Sequence, residues 1–397
     1  MNTPDKLSLP EFIGLIAMTF AMVAFSIDAM LPALPTIGAE ISPDDINRAQ
    51  LVLTSFVFGM GIGTFFTGPL SDSFGRKPVI FGGTIIFVIG AALASQATSI
   101  ESMFAARCIQ GFGVAGPRIV AVAIVRDQYQ GRQMASILSY VMLVFSIVPA
   151  VAPAFGALII DAYGWRAVFL SFIIFAVIVI GWMMIRQRET LPVAKRVPFK
   201  FNRQIRAVKE CFGIRIFALS TLAQVVAYAV LFGTLSSVQQ IFDQTYGRAE
   251  SFPLWFALIA LISSMASIIN ARFVITLGMR KMAGVGYGIV AVLSFCVLIS
   301  GFSGVPFWLY LCLTTGTFFM AGLVIGNLNA LAMEPVGHIA GLASSIIGAT
   351  ATISGVLIAI PIGLLFNGTP VPLAAATFIL SSAGVILIAT YMKSSDI

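Results

Sequence analysis

A chain of 397 residues that is 59% apolar and only 10% charged has too little polar surface to cover soluble cores, whose charged share is about 25%. That excludes a soluble protein, and apolar runs of about 20 residues rather than ten-residue alternations exclude a membrane barrel. The formal charge of +7 would suit nucleic acid, but its distribution follows membrane orientation, so no nucleic-acid partner is expected.

The expected fold is an all-α integral membrane protein with twelve transmembrane helices. They fall roughly at 12–34, 49–70, 78–97, 101–124, 133–158 and 165–185, then 215–240, 252–276, 282–303, 305–331, 339–366 and 370–392. The first run ends in prolines rather than a small-residue cleavage site, which marks a retained helix. Six and six spans give an N-terminal half at 1–185, a basic linker at 186–214 and a C-terminal half at 215–397. Phe74-Gly75-Arg76-Lys77 after span two and Leu277-Gly278-Met279-Arg280-Lys281 after span eight are corresponding positions, as in a transporter built from parallel repeats.

Lys6, Arg76, Lys77, Arg126, Arg132, the linker cations, Arg272, Arg280, Lys281 and Lys393 fall on one side. Arg48, Arg166 and Arg248 fall on the other. This puts both termini in the cytoplasm. The linker's Phe199, Phe201, Ile205, Val208 and Phe212 suit one face of a helix on the inner membrane surface, although a plain tether would suffice. Cys108, Cys211, Cys296 and Cys312 show no paired spacing, so neither disulfides nor metal sites are expected.

Asp28, in Ser26-Ile27-Asp28-Ala29-Met30-Leu31-Pro32, is an acid well inside a spanning run. A carboxylate at membrane depth costs about 2.5 kcal/mol or more, which makes it a functional candidate. Span four carries Arg107 and Arg118, eleven residues apart and therefore on one helical face, with Gln110 on the same side. Asp28 and Arg107 lie at similar depths, roughly 9 and 10 Å from the outer ends of their spans. Coupling between them, directly or through water, is expected, and protonation of Asp28 would weaken it. The alternative is a structural Arg107 satisfied by backbone carbonyls.

Gly111-x-Gly113-x-x-Gly116 matches a dinucleotide fingerprint, but it lies inside a span with no strand before it. Close helix contact is the better account, as for Gly59/Gly63 and Gly284/Gly288. In span five, Pro149, Pro153 and Gly156 favour a bent helix and a close approach. In the C-terminal half, Gln224, Tyr228, Gln239, Asn270, Asn327 and Asn329 could line a cavity or bridge helices. His338 lies near Glu334, where a surface role fits.

Gly68-x-Leu70-x-Asp72-x-x-Gly75-Arg76-Lys77 resembles the loop between helices two and three of the major facilitator superfamily. There it acts as a conformational latch, which implies gating for Gly68, Asp72, Gly75, Arg76 and Lys77. Arg107-x-x-Gln110-Gly111 is similar to the family element associated with proton coupling. Pro149, Pro153 and Gly156 resemble the signature of its drug:proton antiporters. With Asp28-Ala29-Met30-Leu31-Pro32-Ala33-Leu34-Pro35 and Gly164-Trp165-Arg166-x-x-Phe169, the chain is most like the Bcr/CflA drug-resistance branch, where Met-Tyr usually stands for Ala29-Met30. Some relatives carry a second acid where Phe20 stands, so a low proton stoichiometry is implied.

The resemblance implies a secondary transporter in a bacterial inner membrane, a monomer that expels small apolar compounds by alternating access. The proton gradient would be its energy source, with no cofactor. Gln110, Arg118, Gln224, Tyr228 and Asn327 are the cavity candidates. The alternatives are a metabolite exporter or importer on the same scaffold and a non-transporting sensor. A membrane enzyme lacks a cluster of catalytic groups at one depth.

Overall fold

The computed structural model describes residues 7–394, and the described residues form helices and turns with no strand. The first apolar run is broken. Helix α1 (Leu9–Asp28) starts on Ser8, whose hydroxyl accepts from the Glu11 N–H, and it ends at Asp28. A 3-10 turn, Leu31–Ala33, follows, and then α2 (Leu34–Ile41). Pro32 and Pro35 each remove a backbone donor, so the α-helical ladder cannot pass through this stretch.

Next come α3 (Leu51–Phe74), α4 (Arg76–Ser95), α5 (Ile100–Gln128), α6 (Gly131–Tyr163) and α7 (Arg166–Arg186). The linker carries α8 (Phe201–Gly213). Six helices then follow: α9 (Arg215–Gln240), α10 (Phe252–Leu277), α11 (Met279–Ser300), α12 (Phe307–Met333), α13 (Ala340–Leu364) and α14 (Val371–Ser394). Among the described residues, eleven stretches are long and apolar enough to cross a membrane. One of them, Phe307–Leu364, holds both α12 and α13 on either side of non-helical backbone at Val336, which makes twelve spans. Helix α6 is helical throughout, including Pro149 and Pro153.

The α3–α4 and α10–α11 connections are alike in backbone. Gly75 (φ 102°, ψ 165°) and Gly278 (φ 82°, ψ 154°) each close one helix and open the next. A positive φ is open to glycine at little cost. Helix α5 packs against α3 and α4. A Cβ on Gly59 would strike the Cys108 carbonyl, and one on Gly111 would strike that of Phe56, so α3 and α5 touch backbone to backbone. Gly113 meets α4 in the same way at Gly83 and Phe87. The fingerprint-like glycines therefore serve helix contact. Gly288 does not, since it has open space around it, whereas Gly284 faces Ile388 of α14 at ordinary contact distance.

The first and last six spans meet along α3 and α13 and along α6 and α10. Gln50 lies against Gly363 at one end of α3, Gly61 against Ile353 in the middle, and Gly68 against Ser345 at the other end. The linker helix is more than a tether. Its Ala207 and Cys211 are buried with Phe217, Ala343 and Ile346 of α9 and α13. Phe201, Ile205 and Phe212 stay exposed on its outer side. His338 reaches Glu210 of this helix at 2.6 Å, rather than the Glu334 beside it in sequence. The chain ends expected to share the basic face, residues 1–6 and 395–397, lie outside the described residues.

Candidate functional site

Asp28 is the last residue of α1 and is buried, with 5% exposure. Among the described residues no side chain donates a hydrogen bond to its carboxylate. Arg107, fully buried, does not pair with it. Its Nη2 donates to the Ser26 carbonyl at 3.1 Å, its Nε to the Val52 carbonyl at 3.1 Å and its Nη1 to Gln110 Oε1 at 2.7 Å. The guanidinium also lies 4.3 Å from the Phe56 ring centre, a favourable stacking position. Of the two forms of coupling with Asp28 expected, the direct one is thus replaced by contacts to two backbone carbonyls and the Gln110 side chain. The physical reason is that α1 stops two residues after Ser26, leaving carbonyls in its last turn without helical donors and its dipole end negative. Arg107 supplies both a donor and a positive charge there.

Other elements singled out in the sequence converge on the same break. Gly156 of α6 lies against the Ala29 carbonyl so closely that no Cβ would fit. Trp165 Nε1 and Arg166 Nη1 both donate to Glu40 at 2.6 Å, tying the start of α7 to α2. Phe169, one helical turn on, stands 5.8 Å from Arg107. The break after Asp28 is therefore held from α5, α6 and α7 together, while the acid's own carboxylate is left without a donor. That arrangement suits a group that gains and loses a proton, because no donor competes for it.

The remaining cavity candidates are not brought together here. Arg118 is half-buried, with Nη1 3.9 Å from Met60 Sδ. Gln110 keeps an Nε2 with no partner among the described residues. Gln224 donates weakly to the Ile325 carbonyl at 3.5 Å, and its Oε1 has no partner among the described residues. Tyr228 stacks on Phe232, with ring centres 5.3 Å apart. Asn327 donates to Asn270 Oδ1 at 2.6 Å and to the Leu323 carbonyl at 2.7 Å, so it bridges α12 to α10.

One polar cluster was not found in the sequence. At the face opposite the linker, Gln50 donates to Gln240 Oε1, Ser237 donates to Gln50 Oε1 at 3.2 Å, and Gln240 donates to Asn47 Oδ1 at 2.6 Å. Asn47 in turn donates to the Phe366 carbonyl at 3.0 Å. These uncharged contacts close the two sets of six helices together on that face. The glutamines could have drawn notice as polar residues at span ends, but nothing in the sequence pairs residues 190 apart.

On the basic face, Arg76 is buried and collects acceptors. It donates to Asp72 at 2.7 Å, to Asp127 at 2.8 Å and to the Ser71 hydroxyl at 2.8 Å. Lys77 donates to the Met184 carbonyl at 2.8 Å. A cavity of about 130 Å³ lies beside this loop, lined by Gly68, Asp72, Arg76 and Arg126 from one set of helices and Gly341 and Ser345 from α13. The loop thus stands at the junction between the two sets.

Glu189 caps this loop. Its carboxylate accepts from the N–H groups of Arg76, Lys77 and Leu191 at 2.9–3.0 Å, filling the open start of α4. Burial works to raise its pKa, but the Leu191, Arg76 and Lys77 N–H groups and the charge of Arg196 overcome that and hold it below the ordinary carboxylate value. Such a group contributes stability above the unfolded pKa, about 4.3 for Glu, and loses it as pH falls through the lowered folded value. Glu189→Gln should cost about 1 kcal/mol at pH 7, and the deficit should shrink below about pH 4. Thermal unfolding of both proteins at the two pH values checks this; a deficit that grows on acidification would contradict it.

The description of one protein family matches residues 16–359, almost the whole run of spans, and that family is the Major Facilitator Superfamily. The chain belongs to the Major Facilitator Superfamily. A bicyclomycin resistance protein homolog of Haemophilus influenzae is 28% identical to it over 363 residues, 87% of each chain. The multidrug resistance protein MdtL of Citrobacter koseri is 27% identical over 83% of each. The MFS-type transporter YdgK of Bacillus subtilis is 25% identical over 96% of this chain and 94% of its own. Among solved structures, the xylose transporter XylE of E. coli, in a partially occluded inward-open conformation, superposes with a TM-score of 0.73 over 97% of both chains at 12% identity. A D-xylose–proton symporter superposes with a TM-score of 0.74 over 95% of this chain and 96% of its own at 14% identity. These two likenesses establish the fold. This superfamily member is a transporter and not an enzyme.

Proposed function

We propose that this transporter exports small, largely apolar compounds, drugs among them, in exchange for protons. One observation carries the reading: Asp28 is a buried carboxylate at membrane depth, placed at the break of the first span, with no donor bonded to it among the described residues. Burying an ionised carboxylate there is expensive, so taking up a proton as the site closes lowers the cost of the closed state. The resistance proteins among its relatives support a drug-like substrate. The basic face is read as cytoplasmic, with both termini there, since basic loops stay inside. The protein acts as a monomer in a bacterial inner membrane.

Alternating access would turn on the two ends already described. The amide cluster of Asn47, Gln50, Ser237 and Gln240 closes one face, and the Asp72–Arg76–Asp127 loop stands at the other. Proton release from vesicles on addition of a transported drug tests the reading. Asp28→Asn should abolish substrate-driven proton flux while leaving the protein folded. Undiminished flux in that variant would remove Asp28 from the coupling step.

A further inference from the structure

We infer that a second cavity, between the gating loop and the linker, binds the phosphate of an anionic phospholipid headgroup. It has a volume of about 70 Å³ and lies on the basic face, lined among others by Asp72, Ser73, Phe199, Lys200, Arg203 and Gln204. That is room for several waters or one phosphate group.

Gln204 is 3% exposed, and neither its Nε2 nor its Oε1 has a partner among the described residues. A buried amide with both atoms unmet is costly, and a phosphate oxygen on Nε2 would relieve part of that cost. Lys200 and Arg203 make no ion pair among the described residues and stand at the start of α8, where the helix dipole is positive. Asp72, the acid on the wall, is already paired with Arg76.

The apolar surroundings select a lipid over a soluble anion. Phe199 on the cavity wall is 38% exposed, and Phe201 and Ile205 of the linker helix are 51% and 40% exposed; such aromatic and aliphatic side chains suit the acyl boundary below the headgroups. The site also touches the gate. Ser73 donates to the Val197 carbonyl at 2.7 Å, and the Val197 N–H donates to the Asp72 carbonyl at 3.0 Å. A bound headgroup would clamp the linker to the loop after α3 and so bias the transporter toward the conformation in which these contacts exist.

Native mass spectrometry of the full-length protein in detergent, titrated with phosphatidylglycerol or phosphatidylcholine, tests this. Phosphatidylglycerol should be retained preferentially. Lys200→Gln/Arg203→Gln should weaken that retention about thirtyfold, from two surface cations at the headgroup. Arg206→Gln/Lys209→Gln, with the same charge change elsewhere on α8, should bind as the unaltered protein does. Gln204→Leu should also weaken retention; if that variant does not fold, the Lys200/Arg203 variant alone carries the test. Equal retention of the two lipids, an equal loss in the Arg206/Lys209 variant, or complete displacement by millimolar inorganic phosphate would each overturn the assignment.

Discussion

Arg107→Leu should destabilise the folded protein by about 3 kcal/mol or more, because the guanidinium is the donor for three buried acceptors at once. Removing it strips donors from the Ser26 and Val52 carbonyls and from Gln110 Oε1, and it leaves the dipole end of α1 without its positive charge. Thermal unfolding of the purified protein in detergent measures the loss. Arg107→Lys should recover only part of it, since a single ammonium cannot span acceptors on α1, α3 and α5 as a forked guanidinium does. A double-mutant cycle with Asp28→Asn separates bracing from charge pairing. If Arg107 acts on the backbone of α1, the two stability changes should add to within about 0.5 kcal/mol. A coupling well above that would show that the two charges interact directly.

The second large effect is expected at Gly156. A Cβ there would run into the Ala29 carbonyl, so Gly156→Ala must push α6 away from the break or shift the turn that follows Asp28. Overpacking of this kind costs about 1–3 kcal/mol, and alanine's better helix propensity returns about 1 kcal/mol of it. The protein should therefore fold. Transport should fall far more than stability, because a displacement of about 1 Å in a site that depends on position costs on the order of a hundredfold. Transport of a drug substrate by reconstituted Gly156→Ala, compared with its unfolding temperature, reads both. Full transport would show that the Ala29 turn tolerates movement and that Gly156 matters only for packing.

Both predictions concern residues that stand out in the sequence, yet their partners do not. Arg107 and Asp28 lie at similar depths on neighbouring spans, which makes coupling, directly or through water, the natural expectation. The structure shows why the direct pair does not form. The prolines at 32 and 35 end α1 early, and the buried carbonyl of Ser26, in its last turn, takes a donor of Arg107. A one-dimensional reading treats the first span as continuous and cannot see that its end needs a cap. The loop between α3 and α4 was more legible, since Gly75, Asp72 and Arg76 are neighbours in the chain. Its cap, Glu189, is more than 110 residues away in the linker and carries no motif.

Composition and the spacing of apolar runs were enough, by themselves, to determine a helical membrane protein with twelve spans. Hydrocarbon demands about 20 apolar residues per crossing, and each backbone bond must be met within the helix. The same physics singled out Asp28, because a charge at that depth is costly wherever the chain folds. Partnership was decided only by tertiary structure. Which carbonyl Arg107 reaches, which helix Gly156 lets close, and which amides shut the face opposite the linker all depend on contacts between residues far apart in sequence. Asn327 was polar enough to line a cavity or bridge helices, and packing placed it against Asn270. Burial alone makes a polar residue seek a partner; the fold chooses which one.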